Sequence, residues 1–506
     1  MEIPVDGSEK RAGAQAGPLR AGRVGRWRAR WRIPLPRLGL STSERVLILA
    51  VVDILVLNGA LLVALALRFD YPLTARTLFQ APIYFVLLTV VWLVWAVFFD
   101  CYDLPRTAVV SQSAWSTGRA ALLTALTYLA IPYYTPQFPA SRLSAYLFMG
   151  LATVSVPVWR ALYATVFVQP AFQRRLLIVG AGESGAGLAR ELACTPRYGN
   201  PYAGSGYQVV GFVDDDAAKA GTEVEGAPVL GDRRDLRRLA VEHGVDMVVL
   251  AITHTPEIHP ELFQALLDCQ EQGVRLEPMA SLYERLTGRV PVEHAGRNLH
   301  IILPLSDSPG HRAFWAAKRL VDLLAGVVGL VVLGLIAPGV ALANALRSPG
   351  PLFFWQTRVG KGGRPFRLVK FRSMVVDAEA ESGAVWAREG DGRVTPVGRF
   401  LRRARLDELP QVWNMLRGDM SLVGPRPERP EFVAELVERV PFYQARHTVR
   451  PGLTGWAQVR YPYGSSVEDA LMKLQYDLYY IKHQGLYLET SIMVKTAAVM
   501  LRFRGR

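Results

Sequence analysis

The hydrophobic positions of this chain change texture three times. Four long apolar runs come first, at roughly 45–68, 82–99, 119–136 and 142–168. Each is close to the ~20 residues a helix needs to cross hydrocarbon. The third, "RAALLTALTYLAIPYYTPQ", is interrupted by Pro132 and Pro136. From 174 to about 290 short apolar runs alternate with amphipathic ones. "RRLLIVG", "YQVVGFVDDD", "VDMVVLAIT" and "VRLEPM" read as strands, and "DRRDLRRLAVEHG" and "ELFQALLDCQEQG" as helices. Such alternation predicts a parallel sheet with helices on both faces, a Rossmann-like α/β domain. A fifth apolar run occupies 316–346. After it, 350–506 has no run of membrane length but many arginines and several glycine-containing polar motifs.

The flanking charges orient these runs. Basic residues stand on both sides of the first four, in the N-terminal arm and at Arg174–Arg175. The positive-inside rule then puts both ends in the cytoplasm, which suits an even number of spans. Asp53, Asn58 and Arg160 fall within or near these runs and are expected to face the bundle interior. The fifth run has Lys318 and Arg319 before it and Arg347 after it, so both its ends prefer the cytoplasmic side. Pro338 inside it removes a helical hydrogen bond. These features predict a re-entrant helix, about 320–346, that enters one leaflet, bends near Pro338 and returns.

Composition adds a charge imbalance. The 506 residues are half hydrophobic and carry a net charge of +14. Nucleic acid, an anionic membrane surface and phosphate-bearing substrates all suit such an excess. No nucleic-acid module accompanies it, which argues against nucleic acid as a partner. Residues 1–42 form an arginine-, glycine- and proline-rich arm with no apolar period, expected to be disordered against membrane lipid. The three cysteines, Cys101, Cys194 and Cys269, are too far apart for a disulfide framework or a zinc site. Trp386 and Trp456 are expected in core or interface packing.

Two motifs carry candidate chemistry. Gly180, Gly182 and Gly185 form a G-x-G-x-x-G after a strand and at the opening of a helix. That context suits a candidate nucleotide site, with amide N–H groups aimed at an anion. The ribose-binding acid expected about 20 residues on is missing, and Asp214–Asp216 stand about 30 residues on. NAD chemistry, a degenerate or regulatory nucleotide site and a purely structural domain all remain open.

The second motif is "RLDELPQ" at 405–411. Asp407 is placed to cap a helix running on through "ELPQVWNML", and Pro410 is tolerated in its first turn. At that pole, and near arginines, the carboxylate is expected to stay ionised. An ionised aspartate can attack phosphorus or bind Mg²⁺, and Glu408 can share the metal or handle a proton. Lys370, Arg372, Arg402 and Arg426 supply positive charge for a diphosphate, with Arg426 stiffened between two prolines. The bland alternative is a solvated helix cap.

With these motifs in view, the stretch from about 312 to 506 resembles the bacterial sugar transferases. These are the polyprenyl-phosphate glycosyl-1-phosphate transferases that initiate exopolysaccharide and O-antigen synthesis. "KRLVD", "SPGPLFFWQTRVG", "FRLVKFRSM", "RLDELPQ", "GDMSLVGPRP" and "RPGLTGWAQV" occur in the family's order. The four spans and the Rossmann-like domain resemble its long-form members. The resemblance implies a multi-domain membrane protein. Its parts would be a basic arm (1–42), a four-helix transmembrane domain (43–170), a Rossmann-like domain (171–290), a linker (291–311) and a mostly α, monotopic catalytic domain (312–506). It further implies that Asp407 attacks the sugar-bearing phosphate of a UDP-sugar and expels UMP, and that polyprenyl phosphate then takes the phosphosugar. Mg²⁺ would offset the diphosphate charge, with Asp407 and Glu408 as its ligands. Arg426, Arg402 and Lys370 would bind phosphate or nucleotide. The enzyme would sit in the bacterial inner membrane with its catalytic domain cytoplasmic. The sugar and any homo-oligomer are not implied.

Two departures accompany the match. Arg405 stands where relatives often carry Ser or Thr, and the helix break reads Ala337–Pro338 rather than Ser-Pro. A membrane-anchored nucleotide-sugar dehydratase would share the front half, but no Y-x-x-x-K pair is present. A non-catalytic scaffold would predict a damaged last third, which is intact.

Overall fold

The computed structural model describes residues 42–67, 82–107, 109–131, 143–166, 173–193, 206–252, 258–295, 299–302, 310–376, 378, 391–461, 464 and 466–501. The basic arm, Pro132, Pro136, Cys194 and Trp386 lie outside these residues.

Helices α1 (Thr42–Ala66), α2 (Pro82–Phe98), α3 (Val110–Leu129) and α4 (Leu143–Val166) pack as a bundle. Its core takes Leu57 and Leu61 from α1, Trp92 from α2, Tyr128 from α3 and Phe148 from α4. The outer faces are apolar too, with Leu47, Leu55, Val86, Val154 and Val158 exposed. Helices apolar inside and out belong in a membrane. Among the described residues three helices qualify by length and composition to cross one: Glu44–Ala66, Leu143–Thr165 and Ala313–Arg347. Pro82–Phe98 is shorter. The third bundle helix begins about nine residues before the apolar run that signalled it. Its first turns carry Ser113, Ser116 and Thr117, which point a hydropathy reading elsewhere. Thr117 Oγ1 bonds back to the Ser113 carbonyl at 2.7 Å, so the hydroxyl is satisfied within the helix. As expected, Asp53 and Arg160 lie fully buried inside the bundle. Asn58 bonds to Ile54 O and Thr89 Oγ1.

Strands β1 (Arg174–Val179), β2 (Tyr207–Val213), β3 (Glu223–Val224), β4 (Ala227–Gly231), β5 (Met247–Leu250) and β6 (Arg275–Pro278) form one sheet in the order β3-β4-β2-β1-β5-β6. All pairs are parallel except β3–β4. Alternating residues of β1 face opposite layers. Leu176 and Ile178 pack with α5 (Glu183–Ala193) and α8 (Met279–Thr287), and Leu177 and Val179 with α6 (Leu236–Glu242) and α7 (Pro260–Glu271). The predicted strands and helices are all present. The β3–β4 hairpin was missed because β3 has two residues and β4 five, with Pro228 inside the second. Its signal was the pair Glu225–Gly226, both at positive φ, as a tight hairpin turn requires.

The last third opens on α9 (Gly310–Arg347), followed by an antiparallel hairpin of β7 (Phe353–Val359) and β8 (Pro365–Phe371). Then come α10 (Pro396–Arg403), a 3-10 turn at Leu406–Gln411, α11 (Val412–Arg417), β9 (Ser421–Val423) and α12 (Pro430–Arg439). The chain closes with β10 (Gly452–Thr454), α13 (Trp456–Arg460), α14 (Val467–Lys482) and α15 (Leu486–Leu501). Helix α9 corrects one expectation, because it runs through Pro338 without a break. One face of α9 packs on the rest of the segment, through Leu333, Ile336 and Val340 against Phe371 and Leu401. The other presents Val328, Val331 and Leu335 outward.

The stretch 291–311 was expected to be a linker. Instead Val292, Ala295 and Ile302 enter the same core as Val423, Leu436, Trp456 and Leu478. Apolar burial decides this, since three side chains of that size would otherwise face water. Trp456 packs as expected, its Nε1 donating to Gly288 O at 2.9 Å. Beside it, buried Glu284 of α8 accepts from Lys482 Nζ at 2.8 Å and pairs with His483, tying the α/β domain to α14.

Candidate active site

The segment carrying the acid pair is positioned from three sides. The first is α9, whose KRLVD motif is engaged through Lys318, Arg319 and Asp322. Lys318 Nζ donates to Val423 O and to Glu489 Oε2 at 2.9 and 2.7 Å. Arg319 caps α11 by donating to the carbonyls of Met415 and Leu416. Asp322 accepts from Ser421 Oγ and from Leu422 N–H. The second side is β8, where fully buried Asn414 of α11 bonds to both Val369 N–H and Arg367 O. This fixes α11 against the strand that carries Lys370. The third side is α10, which approaches so closely that a Cβ at Gly398 would fall 2.0 Å from Ser373 O.

Arg405 sits in the left-handed region at φ 58°, and the chain reverses there into the 3-10 turn. Asp407 therefore does not cap a helix as the sequence suggested. The turn starts earlier, because Pro410 has no N–H to give to a regular helical ladder. The tighter turn also resolves how neighbouring acids share a site. In a 3-10 helix residues three apart eclipse one another. Leu406 and Leu409 do so, packing as a pair beside Val340, Phe371 and Leu401. Asp407 and Glu408 take the remaining directions.

Arg426 reaches Glu408 from the Pro425–Pro427 stretch after β9, its Nη2 donating to Glu408 Oε1 at 2.5 Å. Lys370 Nζ lies 3.8 Å from the same oxygen. Arg446, nearly buried, donates to the Arg426 carbonyl and to buried Asp477 at 2.9 and 2.8 Å. Arg402 donates from Nε to Ser373 Oγ at 2.9 Å. Arg372 is elsewhere: its two terminal nitrogens donate to the carbonyls of Ser348 and Pro349, where it closes the loop after α9.

These contacts split the acid pair. Burial alone would raise both carboxyls. For Glu408 the guanidinium of Arg426 and the ammonium of Lys370 outweigh burial, and its pKa falls below the ordinary value. For Asp407 burial and the adjacent Glu408 charge outweigh Lys370, Arg402 and Arg426, and its pKa rises. The shift at Asp407 runs opposite to the stabilised anion expected from the sequence: burial first, and then the adjacent Glu408 charge, favour its neutral form. Burial lowers Lys370 to about 8, with Arg426 and Arg358 adding to the effect against Glu408. The sequence reading missed Arg358, which donates to Pro427 O and pairs with Glu428 at 3.5 Å. It also missed Asn414, Arg446 and Asp477. A charged residue inside the aromatic strand "FFWQTRV" was the available signal for Arg358. The others are placed by long-range contacts and had none.

In the middle domain Gly180 adopts φ 106°, and a Cβ at Gly185 would meet Gly180 O at 2.0 Å. The space around Gly182 is open. Asp214 follows β2 directly, so it holds the topological position of the acid that the spacing seemed to lack. It bonds to Ala181 N–H at 2.7 Å.

The whole arrangement is an acid pair facing a shell of cations. Comparison with known proteins gives its family. The family described as bacterial sugar transferase matches residues 313–503. A UDP-glucose:undecaprenyl-phosphate glucose-1-phosphate transferase of Caulobacter vibrioides is 43% identical over 186 residues, which are 36% of this chain and 69% of that one. This chain belongs to the bacterial sugar transferase family.

A UDP-N-acetylgalactosamine-undecaprenyl-phosphate N-acetylgalactosaminephosphotransferase of Aeromonas hydrophila is 42% identical over 50% of this chain and 58% of its own length. A UDP-glucose:undecaprenyl-phosphate glucose-1-phosphate transferase of Xanthomonas campestris pv. campestris is 36% identical over 55% and 57%. The chain thus spans somewhat over half the length of these two relatives. The family described as CoA-binding domain matches residues 97–268, which include the Rossmann-like sheet up to α7.

Proposed function

We propose that this family member transfers a sugar-1-phosphate from a UDP-sugar to a polyprenyl phosphate and releases UMP. The observation that carries the reading is the pair of half-buried Asp407 and buried Glu408, with Arg426 and Lys370 on Glu408. The relatives' names support the substrate classes.

In the first step an oxygen of Asp407 attacks the sugar-bearing phosphorus. The bond from that phosphorus to the bridging oxygen breaks, and UMP leaves with the electron pair. In the second, a phosphate oxygen of the polyprenyl phosphate attacks the same phosphorus. The acyl-phosphate bond breaks and the Asp407 carboxylate is restored. Glu408, ionised and held by Arg426, keeps the cations facing the diphosphate. Lys370, Arg402 and Arg426 offset the charge that builds on the departing UMP. Arg372 acts in this scheme as a loop clamp. Among the described residues no group of three or more Asp, Glu, His or Cys side chains is placed to hold a metal ion. Two hard carboxylates suit Mg²⁺ held jointly with substrate phosphates rather than in an all-protein cage. Asp407 and Glu408 would hold it, and it would supply Lewis-acid neutralisation of the diphosphate.

For the membrane we propose four N-terminal spans, with both ends and the 99–109 turn on the cytoplasmic face of the inner membrane. The ion pair of Glu44 with Arg174 and that of Asp100 with Lys495 support one common side. Helix α9 keeps to one leaflet, catalytic segment inward. Its start bonds to Glu489 and the loop after its end to Arg372, so one domain holds both ends. Release of UMP from a panel of UDP-sugars, by membranes supplied with polyprenyl phosphate, tests the activity and identifies the sugar. External thiol labelling of a cysteine placed at Gly350 would overturn the one-leaflet arrangement.

A further inference from the structure

An ion pair buried in a membrane bundle is costly, and Asp53–Arg160 calls for a reason beyond anchoring. Asp53 stands nine residues after Glu44, about 14 Å along the helix. Arg160 donates from Nε to Asp53 Oδ1 at 2.9 Å and from Nη2 to Oδ2, so the pair is bidentate. Both side chains are fully buried. The remaining donor has a different destination: Nη1 bonds to Cys101 O at 2.8 Å. Below the guanidinium lies the Tyr102 ring, 5.2 Å from its carbon, and the Tyr102 hydroxyl accepts from Trp92 Nε1 at 3.0 Å. The bundle thus grips the turn at 100–103 from inside.

That turn is strained and charged. Asp100 is a non-glycine residue at φ 55°, a conformation that needs its surroundings to hold it. Its carboxylate accepts from Arg106 Nη1 at 3.2 Å and from Lys495 Nζ. Lys495 belongs to α15, the helix that also carries Glu489, the partner of Lys318 at the root of α9. The turn therefore meets the last helix of the catalytic segment, and that helix holds the membrane helix of the same segment.

We propose that the 100–103 turn is a docking seat for α15, and that Asp53 and Arg160 are positioning residues that hold the seat in shape. On this view the bundle sets how the catalytic segment stands on the membrane, and the buried ion pair is retained for geometry rather than stability. Replacing both charges by apolar residues of similar size should leave the bundle folded, as such exchanges of buried pairs often do.

The test uses the full chain in membranes, with its three cysteines replaced by alanine and cysteines at Asp100 and Lys495. A short bis-maleimide should join the two sites efficiently. In the Asp53→Leu/Arg160→Met background the yield should fall about fivefold, the scale of a modest population shift. A second cysteine pair at Glu44 and Arg174 reports whether the bundle still meets the α/β domain, and its yield should not change. Undiminished joining of 100 to 495 in the apolar background would overturn the proposal. A charge exchange gives an independent reading. Asp100→Lys and Lys495→Asp should each lower thermal stability in detergent, and together restore most of it. If the double exchange is no better than the worse single one, the seat is not the Asp100–Lys495 contact. Neither readout depends on sugar transfer, so failure here leaves the activity reading standing.

Discussion

Arg426 donates a 2.5 Å hydrogen bond to Glu408, whose neighbour Asp407 is the proposed nucleophile. This contact divides the labour of two adjacent carboxylates. Glu408 is committed to its cations and stays ionised, while Asp407 keeps a raised pKa and no charged partner of its own at bonding distance among the contacts described above. Arg426 is in turn held at its carbonyl by Arg446, which is anchored on Asp477.

Arg426→Ala therefore releases Glu408 and removes one cation from the phosphate site. Turnover should fall by about 10²-fold or more, the scale of losing one preorganised donor. Steady-state UMP release measures this, and Arg426→Lys should recover only part of it, because a point charge does not replace a guanidinium.

The pH profile should be bell-shaped. Asp407 must be deprotonated to attack, and its pKa lies above the ordinary carboxylate value of about 3.9. Activity thus rises as pH climbs through that raised value. Lys370 must be protonated to bind phosphate, and burial sets it to about 8, so activity falls as pH rises through that value. Lys370→Arg should remove the alkaline limb whatever it does to the rate, since arginine keeps its proton throughout. A pH series of kcat/KM checks both limbs.

Asn414→Leu should destabilise the segment by about 2–4 kcal/mol, because two buried backbone partners, Val369 N–H and Arg367 O, lose their bonds. Thermal unfolding in detergent reads the loss. Activity should fall with it, as α11 and the acid turn no longer register on the strand of Lys370.

The Rossmann-like sheet was legible because its strands alternate with helices and its glycine turn sits where one opens the other. The acid turn was legible as chemistry but not as shape. Nothing local announces that Arg405 turns left-handed or that Leu406 and Leu409 eclipse. Arg372 misled for a related reason: it shares a motif with Lys370, yet as the first residue past β8 its side chain closes the loop after α9. The 291–311 stretch looked like a linker because Pro291, Gly296, Pro304, Pro309 and Gly310 break it up, and only distant partners reveal Val292, Ala295 and Ile302 as core. Asp214 looked too far from the glycines in sequence, although parallel pairing of Val179 with Val213 brings it to them.

The central claim is that Asp407 becomes covalently attached to the phosphosugar. Intact-protein and peptide mass spectrometry after incubation with a UDP-sugar, without polyprenyl phosphate, tests it most directly. A phosphosugar adduct on the peptide containing Asp407, lost on adding the lipid phosphate and absent from Asp407→Asn, is the predicted result. Asp407→Asn that still releases UMP at the wild-type rate, or an adduct on another residue, would contradict it.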